Sequence, residues 1–291
     1  MGAYVTWGLL PLYWKQVEDI PAGQLIGHRI VWSFLTLVAV IAASNQRAAF
    51  RAAISRPGVA RLYGLAAVLI TINWFLYVWA VNHGFIVETS LGYFINPLVS
   101  VVFGVLVFGE RLRRLQWIAV ALAASGVVYL TAAYGELPWI AMVLALSFGS
   151  YGVVKKKAPL GSMYGLTVET GILCAPAILY LLYADRAGHG AFGHHGARVN
   201  ALLASTGIVT TIPLLMFASA VQRTPLSTMG VLQYIAPTLQ LLLGVLVYGE
   251  PFTRTQLVGF AIVWAGLIVF GIDGFVWRRL PMAAIIDEGA G

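Results

Sequence analysis

Gly104-Val105-Leu106-Val107-Phe108-Gly109-Glu110 returns almost letter for letter as Gly244-Val245-Leu246-Val247-Tyr248-Gly249-Glu250. The shift is 140 residues, and holding it without a gap sets 71–126 against 211–266 with 16 identities in 56 positions. Pro97 meets Pro237, Arg114 meets Arg254, Gln116 meets Gln256 and Gly126 meets Gly266. A chance match of apolar letters would scatter its identities and would rarely keep a proline and a Gly-Glu pair in register. The chain therefore reads as one unit used twice.

Hydrophobic residues fill 60% of the 291 positions and charged residues only 10%, against about 25% charged in soluble domains. No water-soluble chain could hide that much apolar surface, so the solvent is lipid. The single cysteine, Cys174, excludes an intrachain disulfide and reads as a small core residue. The net charge of +7 does not imply nucleic acid, because the Lys and Arg residues fall between the apolar runs, where membrane topology requires them. No basic segment precedes Ala3-Tyr4-Val5-Thr6-Trp7, so no cleavable signal is read here. That first apolar run reaches about Trp14, roughly 21 Å of helix against a hydrocarbon core of ~30 Å. Its short length leads us to expect a start upstream of Met1.

Apolar runs fall at about 2–15, 22–44, 60–82, 87–108, 114–132, 137–154, 162–184, 199–221, 226–248 and 255–275. The expected fold is thus an all-α integral membrane protein of ten transmembrane helices. They form two five-helix repeats, 1–133 and 136–275, parted at Tyr134-Gly135-Glu136 and followed by a tail, 276–291. An odd number of spans per repeat forces the second copy to enter from the opposite face, so the repeats are inverted. Arg47, Arg51, Arg56, Arg61, Arg111, Arg113, Arg114, Lys155, Lys156, Lys157, Arg223, Arg278 and Arg279 fall on one side, all read as lying outside the spans. Lys15, Arg186, Arg198 and Arg254 fall on the other. The positive-inside rule then places both termini in the cytoplasm. Between spans 7 and 8, His189, His194 and His195 lie in a Gly-rich stretch whose spacing matches no structured metal site, so neither metal nor cofactor is expected.

Charge inside a span is costly and marks function by default. His28 and Arg29 lie about two turns into span 2. Glu169 lies at the matching depth of span 7, and the repeat shift carries Arg29 onto it. An acid and a base at equivalent sites suggest either a pair across the symmetry axis or two separately neutralised clusters. His28, with a side chain that titrates near neutrality, and Glu169 are the candidates for a coupling proton. Pro97 and Pro237 are repeat equivalents; each removes an N–H and breaks the ladder, freeing the carbonyls of Tyr93 and Gln233. Paired breaks point to a binding site near the midplane. Ser90, Tyr93 and Asn96 surround one, and Gln233, Tyr234 and Thr238 the other. Span 3 adds Asn73 and Tyr77, four apart on one face, with Trp74, Trp79 and Asn82. Trp14, Trp139 and Trp277 read as interfacial anchors, whereas deeper aromatics such as Tyr4 and Trp7 would wall a cavity for an organic solute.

Glu110 and Glu250 fall just before spans 5 and 10, where an acid complements a positive helix N-terminus. Ala119, Ala121, Ala123, Ala124, Ser125 and Gly126 in span 5, with Gly259, Gly266 and Gly271 in span 10, read as close helix contacts, including a homodimer contact through these two spans. Catalytic and nucleotide-binding signatures are absent, so an enzyme is not expected and active transport would draw on a gradient.

Several runs resemble the RarD branch of the EamA family, in the drug/metabolite transporter superfamily. They are Gly27-His28-Arg29-Ile30-Val31-Trp32-Ser33, Trp79-Ala80-Val81-Asn82, Ser90-Leu91-Gly92-Tyr93-Phe94-Ile95-Asn96-Pro97, Glu169-Thr170, Gly207-Ile208-Val209-Thr210-Thr211-Ile212-Pro213 and Gln233-Tyr234-Ile235-Ala236-Pro237-Thr238. The resemblance runs from about Tyr4 to Asp273, and only the length of span 1 departs from it. It implies ten helices in two inverted repeats around a cavity lined by spans 1–4 and 6–9, with spans 5 and 10 outside. It also implies transport of amino acids, purines, drugs, nucleotide sugars or triose phosphates, without choosing among them.

The reading that results is a multi-pass transporter of the bacterial inner membrane, moving a small zwitterionic or anionic metabolite, an amino acid or drug-like solute, in the export direction by alternating access. Its expected site is His28, Arg29, Asn73, Tyr77, Tyr93, Asn96, Glu169, Gln233 and Tyr234, with Arg29 facing a carboxylate and the aromatics holding the rest. The competing readings are a passive channel or uniporter, which needs no coupling ion, and a membrane-embedded enzyme.

Overall fold

A computed structural model describes residues 1–83, 85–135, 138–249 and 253–279, with only the backbone at 81, 82, 86–88, 134 and 277–279. Glu250, the side chains of Asn82 and Trp277, and most of the tail 276–291 therefore lie outside the described residues. Within them every regular element is a helix: α1 (Gly2–Trp14), α2 (Ala22–Ala43), α3 (Arg47–Ile54), α4 (Val59–Asn82), α5 (Ile86–Phe108) and α6 (Arg114–Tyr134) are followed by α7 (Trp139–Lys157), α8 (Ser162–Arg186), α9 (Gly196–Val221), α10 (Leu226–Gln233), α11 (Ile235–Leu246) and α12 (Arg254–Arg279). Eight helices among the described residues, counting α10 and α11 as one, are long and apolar enough to cross a membrane. Their outward faces are bare hydrocarbon, as lipid requires: Leu106 and Leu246 are each 76% exposed, Val128 66% and Ile268 62%. Both pairs are separated by the 140-residue shift.

Four expectations need correction. The segment after α2 is not all loop, because α3 packs there with Ala53 buried and Phe50 edge-on to Tyr164 at 5.4 Å. Lys155, Lys156 and Lys157 belong to the last turn of α7 rather than to a loop, and basic side chains suit the negative end of a helix. Pro97 does not break α5, which runs through it. One lost ladder bond is tolerated where neighbouring helices hold the segment. Here Gly230 comes so close that a Cβ there would lie 2.5 Å from the Pro97 carbonyl oxygen. In the other repeat the helix is interrupted at Tyr234, between α10 and α11, three residues ahead of Pro237.

The fourth concerns Glu110. Gly109 takes a left-handed conformation (φ 63°) that ends α5, and the Glu110 N–H returns to the Gly104 carbonyl at 3.1 Å. The side chain is thereby aimed not at the helix that follows but at the start of α10 in the other half. Its carboxylate accepts the N–H groups of Leu226 (2.6 Å) and Ser227 (2.8 Å), two donors that a helix start leaves unpaired. Lys156 adds an ion pair at 3.2 Å. Burial pushes this carboxyl up, but the Ser227 and Leu226 amides and Lys156 outweigh it and hold it below its ordinary value. Gly104 is what leaves room, since a Cβ there would lie 2.5 Å from Glu110 Oε2.

The small residues of α6 and α12 pack these two helices on each other within the chain. A Cβ on Gly126 would lie 2.9 Å from the Gly259 carbonyl oxygen, and one on Gly266 would lie 2.7 Å from that of Ala119. The 140-residue shift turns one of these contacts into the other. Arg113 ties the start of α6 to the end of α12 by donating from Nε to both oxygens of buried Asp273, at 3.1 and 3.0 Å.

Candidate functional site

Tyr234 donates to the Phe94 carbonyl at 3.0 Å. These residues are themselves repeat equivalents, so their contact marks where the two halves meet. Beside it a cavity of about 230 Å³ opens among α1, α2, α4, α5, α7, α9, α10 and α11. Of the sequence-predicted residues, Arg29, Asn73, Tyr77, Tyr93, Asn96, Gln233 and Pro237 wall it. Tyr93 and Gln233 are the residues whose carbonyls lose a donor to Pro97 and Pro237, so both prolines leave an acceptor beside this space. Helix α8, expected at the wall, contributes none of its described residues.

Arg29 is set here by the helical position that turns it away from lipid. Its Nε donates to Thr210 Oγ1 at 3.1 Å, and its guanidinium carbon lies 4.5 Å from the Trp74 ring centroid and 5.0 Å from that of Trp14. Cation–π contact with two rings offsets part of the desolvation of this charge. Trp14, in the last turn of the short helix α1, is therefore part of the cavity wall. Trp7, Trp74, Phe148 and Gln240 also line the space; Trp7 and Trp74 were named from sequence as aromatics within their spans, and Phe148 and Gln240 were not. Tyr77 and Tyr93 stand edge-on at 5.9 Å. Asn73 spends both amide hydrogens on α7, at Leu144 O (2.9 Å) and Ser147 Oγ (3.0 Å), so only its carbonyl oxygen remains to offer. Asn96 is 5% exposed, and its Oδ1 has no hydrogen-bond partner among the described residues. A buried orphan acceptor in a cavity wall is unusual and invites a donor.

Three predicted residues lie elsewhere. His28 is buried beneath Phe192 of the α8–α9 connection, with ring centroids 5.5 Å apart. Gln24 pins that connection down, donating to His189 O (2.5 Å) and accepting from the Ala191 N–H (2.8 Å), so the segment is folded onto α2. Tyr234 is buried with its hydroxyl spent on Phe94. Glu169 does not pair with Arg29. Its Oε1 accepts from Lys155 Nζ at 2.6 Å and its Oε2 from the Tyr151 hydroxyl at 3.0 Å, with both charges almost wholly buried. A small gap touched by both Arg29 and Glu169 lies between the two sites. Lys155 was missed because it sits in a run of three lysines. The usable signal was its spacing of four from Tyr151, which puts both on one helix face.

Residues 1–132 and 138–272 each match the EamA-like transporter family. The chain is 46% identical to protein RarD of Streptomyces exfoliatus, covering 98% of this chain and 90% of that protein. It is 44% identical to the uncharacterized transporter YojE of Bacillus subtilis, over 95% and 93% of the two chains. Protein RarD of Escherichia coli is 41% identical over 96% and 94%. A solved crystal structure at 20% identity superposes with a TM-score of 0.70 over 96% of both chains, a likeness of fold alone.

Proposed function

This chain belongs to the EamA-like transporter family, and from that premise we propose that it is a secondary transporter of the bacterial inner membrane that exports a small organic anion or zwitterion. A multi-pass protein whose relatives are named transporters acts in transport rather than catalysis. The observation that carries the substrate reading is Arg29. It is the one charged side chain among the described residues of the cavity wall, and no carboxylate among them lies within ion-pair distance. A charge kept in the bilayer without an ion-pair partner among the described residues is a place for a partner from outside.

The proposed motion is alternating access between inverted repeats 1–133 and 136–275. It is supported by the repeat-related contacts of Gly126 with Gly259 and Gly266 with Ala119, and by the meeting of Phe94 with Tyr234. With both termini cytoplasmic, the ends of α1 and α4 and the start of α5 lie outside. On that topology the proposed outward-facing half holds the cavity lined by Trp14, Tyr77 and Thr89, and the Glu110 contact is the proposed inner closure. If a coupling ion takes part, the Lys155–Glu169–Tyr151 cluster is the better place for its proton than His28, which lies under Phe192.

The test is counterflow in proteoliposomes loaded with a mixture of metabolites. Arg29→Gln should abolish exchange while the protein keeps its thermal stability. Wild-type exchange by that variant would remove Arg29 from the site, and uncoupled, non-saturating flux would favour a channel.

A further inference from the structure

We propose that the cavity takes a monoanionic aryl carboxylate bearing one hydrogen-bond donor and discriminates against zwitterions and cations; this rests on the transport reading of the same cavity. The charge inventory comes first. Arg29 supplies one positive charge, and no acid among the described residues walls the space. A carboxylate brings the buried charge to zero. An ammonium group would be desolvated beside a like charge with only neutral amide and hydroxyl oxygens to meet it. The Trp14 and Trp74 rings are already occupied by the guanidinium, and the remaining rings, Trp7, Tyr77, Tyr93 and Phe148, carry no negative charge to offset the repulsion an ammonium would meet from Arg29.

The geometry of Arg29 narrows the anion. Its Nε–H is used by Thr210 and its guanidinium carbon lies within 5.0 Å of the Trp14 and Trp74 ring centroids. What remains is the edge with the terminal N–H groups, a planar fork that matches a carboxylate in bidentate fashion. The single donor follows from Asn96. Its buried Oδ1 accepts nothing among the described residues, and it stands on α5, a different helix from Arg29 on α2. Asn96 lines the cavity while its Oδ1 is covered, so a ligand with an N–H or O–H away from its carboxylate would satisfy the acceptor once the amide turns toward the space, and a ligand without one would leave it orphaned. The body between the two groups meets Trp7, Tyr77, Tyr93 and Phe148. Flat ring walls and a volume near 230 Å³, below the range of about 300–1,000 Å³ typical of drug-sized sites, suit one or two rings.

Four ring compounds of similar size test this by calorimetric titration of the full chain in nanodiscs. They are indole-3-acetate, 1-naphthaleneacetate, L-tryptophan and tryptamine. Indole-3-acetate should bind most tightly. Naphthaleneacetate, without the ring N–H, should bind about three- to tenfold more weakly, the factor of one neutral hydrogen bond. Tryptophan should be weaker by at least about tenfold, and tryptamine should give no binding, from the unpaired buried ammonium. Asn96→Leu should bring indole-3-acetate down to the level of naphthaleneacetate. Arg29→Gln should abolish binding of both anions, and Arg29→Lys, which keeps the charge and loses the fork, should weaken them about tenfold.

Tryptophan or tryptamine binding as tightly as indole-3-acetate overturns the proposal, and so does an absence of binding by all four. Counterflow of the same probes separates this from the transport reading. Exchange of tryptophan but not indole-3-acetate removes the ligand class and leaves the transporter. Selective binding of indole-3-acetate without any exchange leaves the ligand class and removes the transporter.

Discussion

Replacing Glu110 with glutamine should separate the role of its charge from the role of its shape. The carboxylate accepts from Leu226 N–H at 2.6 Å and Ser227 N–H at 2.8 Å and meets Lys156 at 3.2 Å, at a side-chain exposure of 14%. Glutamine keeps the length and one acceptor oxygen but loses the charge, the second acceptor and the ion pair. A hydrogen bond to a charged group is worth about 1.5–3 kcal/mol, and a neutral one about 0.5–1.5 kcal/mol. Losing one charged bond and weakening the other should cost about 2–4 kcal/mol. For a domain of this size that is roughly 4–10 °C in the unfolding midpoint.

The pH dependence has a definite sign. The folded carboxyl lies below its ordinary value, held there by the α10 amides and Lys156 against the opposing effect of burial. Its contribution is therefore complete above the unfolded value of about 4.3 and is lost as pH falls through the lower folded value. Thermal unfolding in detergent, followed by tryptophan fluorescence at neutral pH and through the acid range, reads both effects. The gap between wild type and Glu110→Gln should be wide at neutral pH and close only below the ordinary carboxylate range. A gap under about 1 °C at neutral pH, or one that does not close in acid, would refute the reasoning.

Three further outcomes follow from the same geometry. Lys155→Met leaves the Glu169 carboxylate buried without its cation and should cost about 3–5 kcal/mol; adding Glu169→Gln should recover much of this, as a double-mutant cycle of unfolding midpoints would show. Gly126→Ala and Gly266→Ala each drive a Cβ into a backbone oxygen of the facing helix and should lose about 1–3 kcal/mol, whereas Gly64→Ala, with open space around it, should gain about 0.5–1 kcal/mol from helix propensity; the three midpoints measured side by side check the α6–α12 contact. Tyr234→Phe removes the bond to Phe94 O and should lower stability by about 1 kcal/mol while leaving ligand affinity unchanged, which titration of the same probes would read.

Much of this protein is local in its sequence. The lipid solvent, the helical periods and the repeat are read from composition and spacing, because hydrophobicity acts residue by residue and a helix needs only its own backbone to close its hydrogen bonds. Depth along a helix is likewise counted from the chain, so Arg29 and the carbonyls freed by Pro97 and Pro237 could be set well inside their spans. Rotation about each helix axis and the identity of the neighbour are set by packing, and only the tertiary structure decided them. It gave Glu169 to Lys155 and not to Arg29, turned His28 under Phe192 and set Trp14 against the guanidinium. It used the small residues of α6 and α12 within the chain, and it carried Glu110 across to the other half. The repeated Gly-Glu was legible as a pattern. That its first copy joins the two repeats, with Gly104 making room for the carboxylate, follows from a contact 116 residues away, which no local pattern encodes.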